Sequence, residues 1–192
     1  MEKKDCMGKR REENFKIGCV HGEIFPKGHG NREDRIRNYL FLVGTLILKD
    51  KNIRLIAYEM PTKEKKGERI DLFGYDQNFE PHIIELKVDD TGDKILRIIK
   101  QISGYAEDFL NLKLGIEKEI KDKYHFDFKF SNNKINKVIL AERDYYKDKQ
   151  SEIKQYKDAN LYFCSFARIR DIEKKLEKGI VNTESITLRV EN

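Results

Sequence analysis

Apolar positions from residue 31 onward alternate between helical and strand-like spacing. In "GNREDRIRNYLFLVGTLI" (30–47), Ile36, Tyr39, Leu40 and Val43 recur at intervals of three and four, which predicts a helix. Asn31 is its expected N-cap, and Glu33 and Asp34 lie in a first turn where the helix dipole favours acids. "IRLIAYEMP" (53–61) is β-branched and aromatic and stops at a proline, so it predicts a strand. After the charged loop "TKEKKGE", the runs "RIDLFGY" (69–75) and "PHIIELKV" (81–88) predict two more strands joined by "DQNFE", a connection of hairpin length.

Beyond "DDTGD" a long helix is expected from Asp93, with Ile95, Ile98, Ile99, Ile102, Ala106, Phe109 and Leu110 on its buried face. "KINKVILAERD" is apolar enough for a central strand. A helix over "KQSEIKQYKDA", a strand over "NLYFCSF", a helix over "RIRDIEKKLEKG" closed by Gly179, and a last strand over "ESITLRV" complete the series. The order α-β-β-β-α-β-α-β predicts one α/β domain around a mixed sheet, with no repeat or linker to divide it. Residues 1–30 form an N-terminal extension whose first fourteen residues are expected to be a flexible arm.

Composition narrows the class. Of 192 residues, 39% are hydrophobic and 38% charged, which excludes a disordered or membrane-embedded chain. The longest apolar stretch, "YLFLVGTLIL" (39–48), is about half of what a spanning helix needs. The basic start is not followed by an apolar segment, so no membrane association and a cytoplasmic location are expected. Cys6, Cys19 and Cys164 are too few and too scattered for a disulfide framework. Cys6, Cys19, His21 and His29 share one stretch, but their intervals match no paired zinc-ligand pattern. A net charge of +5, from 39 basic and 34 acidic residues, permits a nucleic-acid partner.

The candidate chemistry lies in the "RIDLFGY"/"PHIIELKV" pair. If the loop is 76–80, Tyr75 faces Pro81, and stepping back from the turn puts Asp71 opposite Glu85 and Arg69 opposite Lys87. Asp71, Glu85 and Lys87 then share one face, and Ile70, Leu72, Ile84, Leu86 and Val88 form an apolar opposite face. Two opposed carboxylates repel, and desolvation raises the cost unless a proton or a cation intervenes. A hard divalent ion satisfies this geometry. So does a surface cluster in which Arg69 and Lys87 neutralise the two acids, and residue chemistry alone leaves both open.

The Asp71 strand, the Glu85-Leu86-Lys87 strand and a preceding helix bearing Glu33 resemble the PD-(D/E)xK nuclease superfamily. Residue 70 is Ile where the motif name has Pro. "KQISGYAEDF" in the following helix places Gln101 and Tyr105 four apart, on what is read as a face other than the apolar one. That pair is similar to the Gln-x-x-x-Tyr signature of the RecB-type branch, as is the "GERIDLFGYD" run with its Gly67 and Asp71.

The resemblance implies a restriction-endonuclease-like αβββαβ core and metal-dependent hydrolysis of nucleic acid, most often DNA, in repair, recombination or defence. It implies Mg²⁺, with Mn²⁺ as a substitute, held by Asp71, Glu85 and the Leu86 carbonyl. Lys87 would act on the attacking water, Glu33 would stand beside the metal, and Gln101, Tyr105, Lys94 and Arg97 would contact the nucleic acid. Superfamily members often dimerise, so a homodimer is also admitted. The alternative from another class is a nuclease-like module that binds nucleic acid or protein without chemistry.

Overall fold

The computed structural model describes residues 32–48, 51–62, 69–88, 92–125, 127–131, 134–166 and 188–190. Helix α1 (Arg32–Val43) is followed by β1 (Thr45–Leu48), β2 (Lys51–Pro61), β3 (Arg69–Tyr75), β4 (Pro81–Lys87), α2 (Ile95–Tyr124) and β5 (Asn136–Glu142). A 3-10 turn (Arg143–Tyr146), a single-turn α3 (Gln150–Ile153), β6 (Leu161–Phe166) and β7 (Leu188–Val190) follow. The strands form one sheet in the order β6-β5-β4-β3-β2-β1-β7. Pairing is antiparallel from β1 through β4, and parallel for β4–β5, β5–β6 and β1–β7, so the domain is α/β with a mixed sheet.

Two apolar layers cover the sheet. On one face Ile95, Ile98, Ile102, Tyr105, Phe109, Ile116 and Ile120 of α2 pack with Phe73, Ile83 and Ile139. On the other, Ile36, Leu40 and Phe41 of α1 pack with Leu72, Ile84, Leu86, Val138 and Leu140. β4 is therefore buried along its whole length, as its near-continuous apolar run requires. The hairpin has the expected register: Tyr75 pairs Pro81 and Leu72 pairs Ile84. Its loop closes on Asp76, whose N–H donates to the Glu80 carbonyl (3.1 Å) and whose Oδ1 accepts from the amides of Asn78 (2.9 Å) and Glu80 (3.1 Å).

Several expectations are corrected. The first helix ends at Val43, because Gly44 takes φ +76° and "TLIL" is drawn into the sheet against β2. Four strands, not three, therefore separate the two main helices. The helix expected over 149–159 is one turn, preceded by a 3-10 turn that buries Tyr145 and Tyr146; the Tyr146 hydroxyl donates to the Ile139 carbonyl (2.6 Å). Leu110 is 45% exposed, because it lies one position off the 98–102–105–109–116–120 stripe that packs on the sheet. Ile70 joins the α2-side cluster instead of Leu72 on the α1 side. The opposite residues of β2 divide the same way, Tyr58 against the α1-side cluster and Met60 in the α2-side one, and Glu59 between them has a left-handed φ of +45°. The N-terminal extension with its Cys/His group, Asn31, Gly67 and the helix expected over 168–179 lie outside the described residues. No helix among those described is long and apolar enough to cross a membrane.

Gly74 lies where β3 crosses the irregularity in β2 between Leu55 and Ala57. A β-carbon there would run into the Arg54 carbonyl oxygen and the Ile53 side chain. Gly74→Ala is expected to lower stability by about 1–3 kcal/mol, read as a reduced denaturant midpoint with an unchanged slope.

Candidate functional site

Four ionisable side chains from three elements meet at the end of β3 and β4 remote from their loop. β3 contributes Asp71, β4 contributes Glu85 and Lys87, and the first turn of α1 contributes Glu33. Glu85 is 3% exposed and Lys87 8%, although both carry full charges in water. Lys87 Nζ donates to Glu85 Oε1 at 2.9 Å, whereas Glu85 Oε2 is buried with no hydrogen-bond partner among the described residues. The Leu86 amide donates to Asp71 Oδ2 at 2.8 Å, which ties the β4 backbone to the β3 carboxylate between the two charged residues.

Electrostatics follow from this crowding. Burial, and then the neighbouring Asp71, push the Glu85 carboxyl up to about 8. Asp71 is also raised by burial, against the pull of the Leu86 amide, Arg37 and Lys87. Glu33 rises for the same first reason, with Lys87 opposing and Asp71 adding to it. Burial opposes the charge on Lys87, but Glu85, Glu33 and Asp71 more than offset it and hold its pKa above the ordinary lysine value. Burial and mutual repulsion thus draw the three carboxyl groups towards their protonated forms, and Lys87 and Arg37 together only partly oppose this.

Two arginines that the sequence did not single out organise the cluster. Arg37, one helical turn beyond Glu33, places its guanidinium 2.8 Å from Asp34, 2.8 Å from Glu59 and 3.5 Å from Asp71. Arg32 grips Glu142 at the end of β5 through both of its terminal nitrogens (2.9 and 2.5 Å) and donates to the Val88 carbonyl (3.2 Å). This clamp fixes the start of α1 over the ends of β4 and β5 and so places Glu33 beside Lys87. The only signal in the sequence was helical spacing: positions 33 and 37 share one face.

Arg69, expected to help neutralise Asp71 and Glu85, instead pairs with Glu59 (3.0 Å) and is 55% exposed. The four-residue neutralising cluster is therefore not formed as expected. The Gln101/Tyr105 expectation is also corrected. Tyr105 is 4% exposed and belongs to the core cluster, because its ring follows Ile98 and Ile102 around the buried side of α2. Only its hydroxyl reaches outward, where it accepts from Gln101 Nε2 at 2.7 Å. Gln101, Lys94 and Arg97 are exposed near the start of α2, and Arg97 pairs with Asp93 (3.2 Å).

A second polar group, Asp76, Glu80 and His82, sits at the loop end of the same hairpin. No protein-family model, curated protein or solved structure matches the chain.

The raised Glu85 carboxyl has a direct consequence for stability. Its folded pKa of about 8 exceeds the ordinary 4.5, so between those values the native state binds more protons than the unfolded chain. This group's contribution to stability is present below the ordinary value and is lost as pH rises towards 8. In metal-free buffer, melting temperatures measured from pH 5 to pH 8 are expected to fall more steeply for the wild type than for Glu85→Gln.

Proposed function

We propose that the chain is a metal-dependent phosphodiester hydrolase with a restriction-endonuclease-like core, acting on nucleic acid, with DNA as the expected substrate. The observation that carries this reading is the unpartnered, buried Oε2 of Glu85 within electrostatic reach of Asp71 and Glu33. A protein gains nothing in stability from such an atom. A hard cation satisfies it, and the oxygen-only donors of Asp71, Glu85 and the Leu86 carbonyl suit Mg²⁺ or Mn²⁺ in place of a softer metal. When bound, such an ion supplies Lewis acidity that lowers the pKa of water and offsets charge on phosphorus.

The chain's own groups account for the remainder. Lys87, held protonated by its acidic neighbours, orients the attacking water and neutralises charge developing on the phosphate. Glu33, whose carboxyl burial raises above that of an ordinary glutamate, serves as the proton acceptor beside Lys87. Tyr105 fixes Gln101 from beneath, so that Gln101 meets the nucleic-acid strand with little rotamer freedom left to lose. Lys94 and Arg97 follow the phosphate backbone.

A module without catalysis is favoured by one detail: both oxygens of Asp71 already have partners, Leu86 N–H and Arg37. Ion uptake separates the two readings. With circular, linear, single-stranded and branched DNA and with RNA, the wild type is expected to cleave at least one substrate in Mg²⁺ or Mn²⁺. Glu85→Ala should lose roughly a hundredfold or more of that activity while keeping its fold. Undiminished Mg²⁺-dependent cleavage by Glu85→Ala would sink the proposal, and calorimetry showing no carboxylate-dependent ion uptake would favour the module.

A further inference from the structure

We propose that the loop end of the β3–β4 hairpin is a second metal site, formed by Asp76, Glu80, His82 and Asn136, where a zinc-class divalent ion competes with the Lys51 ammonium. It is independent of the Glu85 site, at the other end of the same two strands.

The donor atoms are already gathered. Asp76 Oδ1 serves the loop amides, which leaves Oδ2 facing His82 Nε2 (3.2 Å) and Lys51 Nζ (3.2 Å). Glu80 Oε2 accepts from Lys51 Nζ (2.8 Å) and Asn136 Nδ2 (3.2 Å), with Lys134 Nζ farther off at 3.9 Å. One ligand atom each from Asp76, Glu80 and His82 lies within 4.8 Å of the others. Tetrahedral zinc with bonds of about 2.0–2.1 Å sets its ligands roughly 3.4 Å apart. The Asp76–His82 pair has nearly that separation, and Glu80, on the loop and the least buried of the three, can close the remainder by rotation.

Asn136, outside this triad, supplies a separate indication. Its side chain is fully buried, with Nδ2 3.2 Å from Glu80 Oε2 and 3.4 Å from His82 Nε2, yet Oδ1 has no partner among the described residues. The two ends of a carboxamide have the same shape. Turning this one over brings Oδ1 against Glu80 and His82 and takes Nδ2 away from Glu80 and from the Pro81 carbonyl (3.5 Å); a cation between Oδ1 and Glu80 offsets that exchange by binding both, as a fourth ligand requires. The Lys51 ammonium marks the place where positive charge is stabilised. Its flexible stem and partial exposure let it swing out to solvent. His82, pushed down to about 4 chiefly by burial, is neutral at physiological pH and so able to ligate.

Two features limit the affinity. The ammonium must leave, and metal on Nε2 leaves a proton on His82 Nδ1, which is buried without a partner. A weak site that responds to changes in free zinc is the result, and its occupancy pins the hairpin register from the loop end.

Calorimetry of the full chain with Zn²⁺ alone tests this. Glu80→Gln is expected to lower the stoichiometry by one equivalent relative to the wild type, with an unchanged circular dichroism spectrum. Lys51→Met, which keeps every ligand, should tighten the same event by roughly tenfold or more. Glu85→Ala should leave it intact, which distinguishes it from ion uptake at the other site. Equal uptake by Glu80→Gln and wild type, no zinc uptake at all, or no tightening in Lys51→Met would overturn the proposal.

Discussion

The five-residue loop closed by Asp76 is the constraint on which the rest of the molecule depends. Its carboxylate holds two amides of the loop, and its own N–H returns to Glu80, so only one pairing of β3 with β4 is compatible with the turn. Strand side chains alternate with a period of two. A slip by one residue would turn Glu85 and Lys87 into an apolar layer and bring Ile84 and Leu86 out of it. The polar turn thus determines, five strand residues or roughly 16 Å away, which charges meet.

What meets there is unfavourable by itself. Asp71, Glu85 and Glu33 share a largely desolvated corner with one lysine, and Glu85 keeps an oxygen that nothing among the described residues satisfies. The surrounding structure holds this arrangement in place from outside. The Arg32–Glu142 clamp sets α1 against the ends of β4 and β5, and Arg37 gathers Asp34, Glu59 and Asp71 around a single guanidinium. Two apolar layers, one beneath each helix, supply the burial that offsets the electrostatic cost. Local distortion accompanies the site: Glu59 is left-handed on the strand beside Asp71, where Ile70 turns to the α2 side.

The two ends of the hairpin are chemically unlike. At the open end the donors are carboxylates and a lysine that stays charged. At the loop end a neutral histidine joins two carboxylates and a carboxamide, with an ammonium in the centre. Oxygen-only donors favour hard ions, and imidazole shifts the preference towards zinc. One two-stranded element therefore presents two differently tuned polar nodes, joined by the apolar core of β4.

The run of apolar and polar residues was sufficient to determine the alternation of helix and strand, the hairpin and its register from Leu72 to Pro81, and hence that Asp71 comes near Glu85, because all of these depend on spacing along one or two neighbouring segments. It also located Glu33 on the first turn of α1. It did not reveal that "TLIL" leaves the helix, since a short apolar run suits either state and only β2 lying alongside decides. Nor did it reveal that Tyr105 is core, that Arg69 is diverted to Glu59, or that Arg32 and Arg37 hold the site together. Those partners lie on separate elements, 22 to 110 residues apart for the arginine contacts of α1 with Glu59 and Glu142. Such contacts depend on how helices dock on a twisted sheet, and only the tertiary structure decides that.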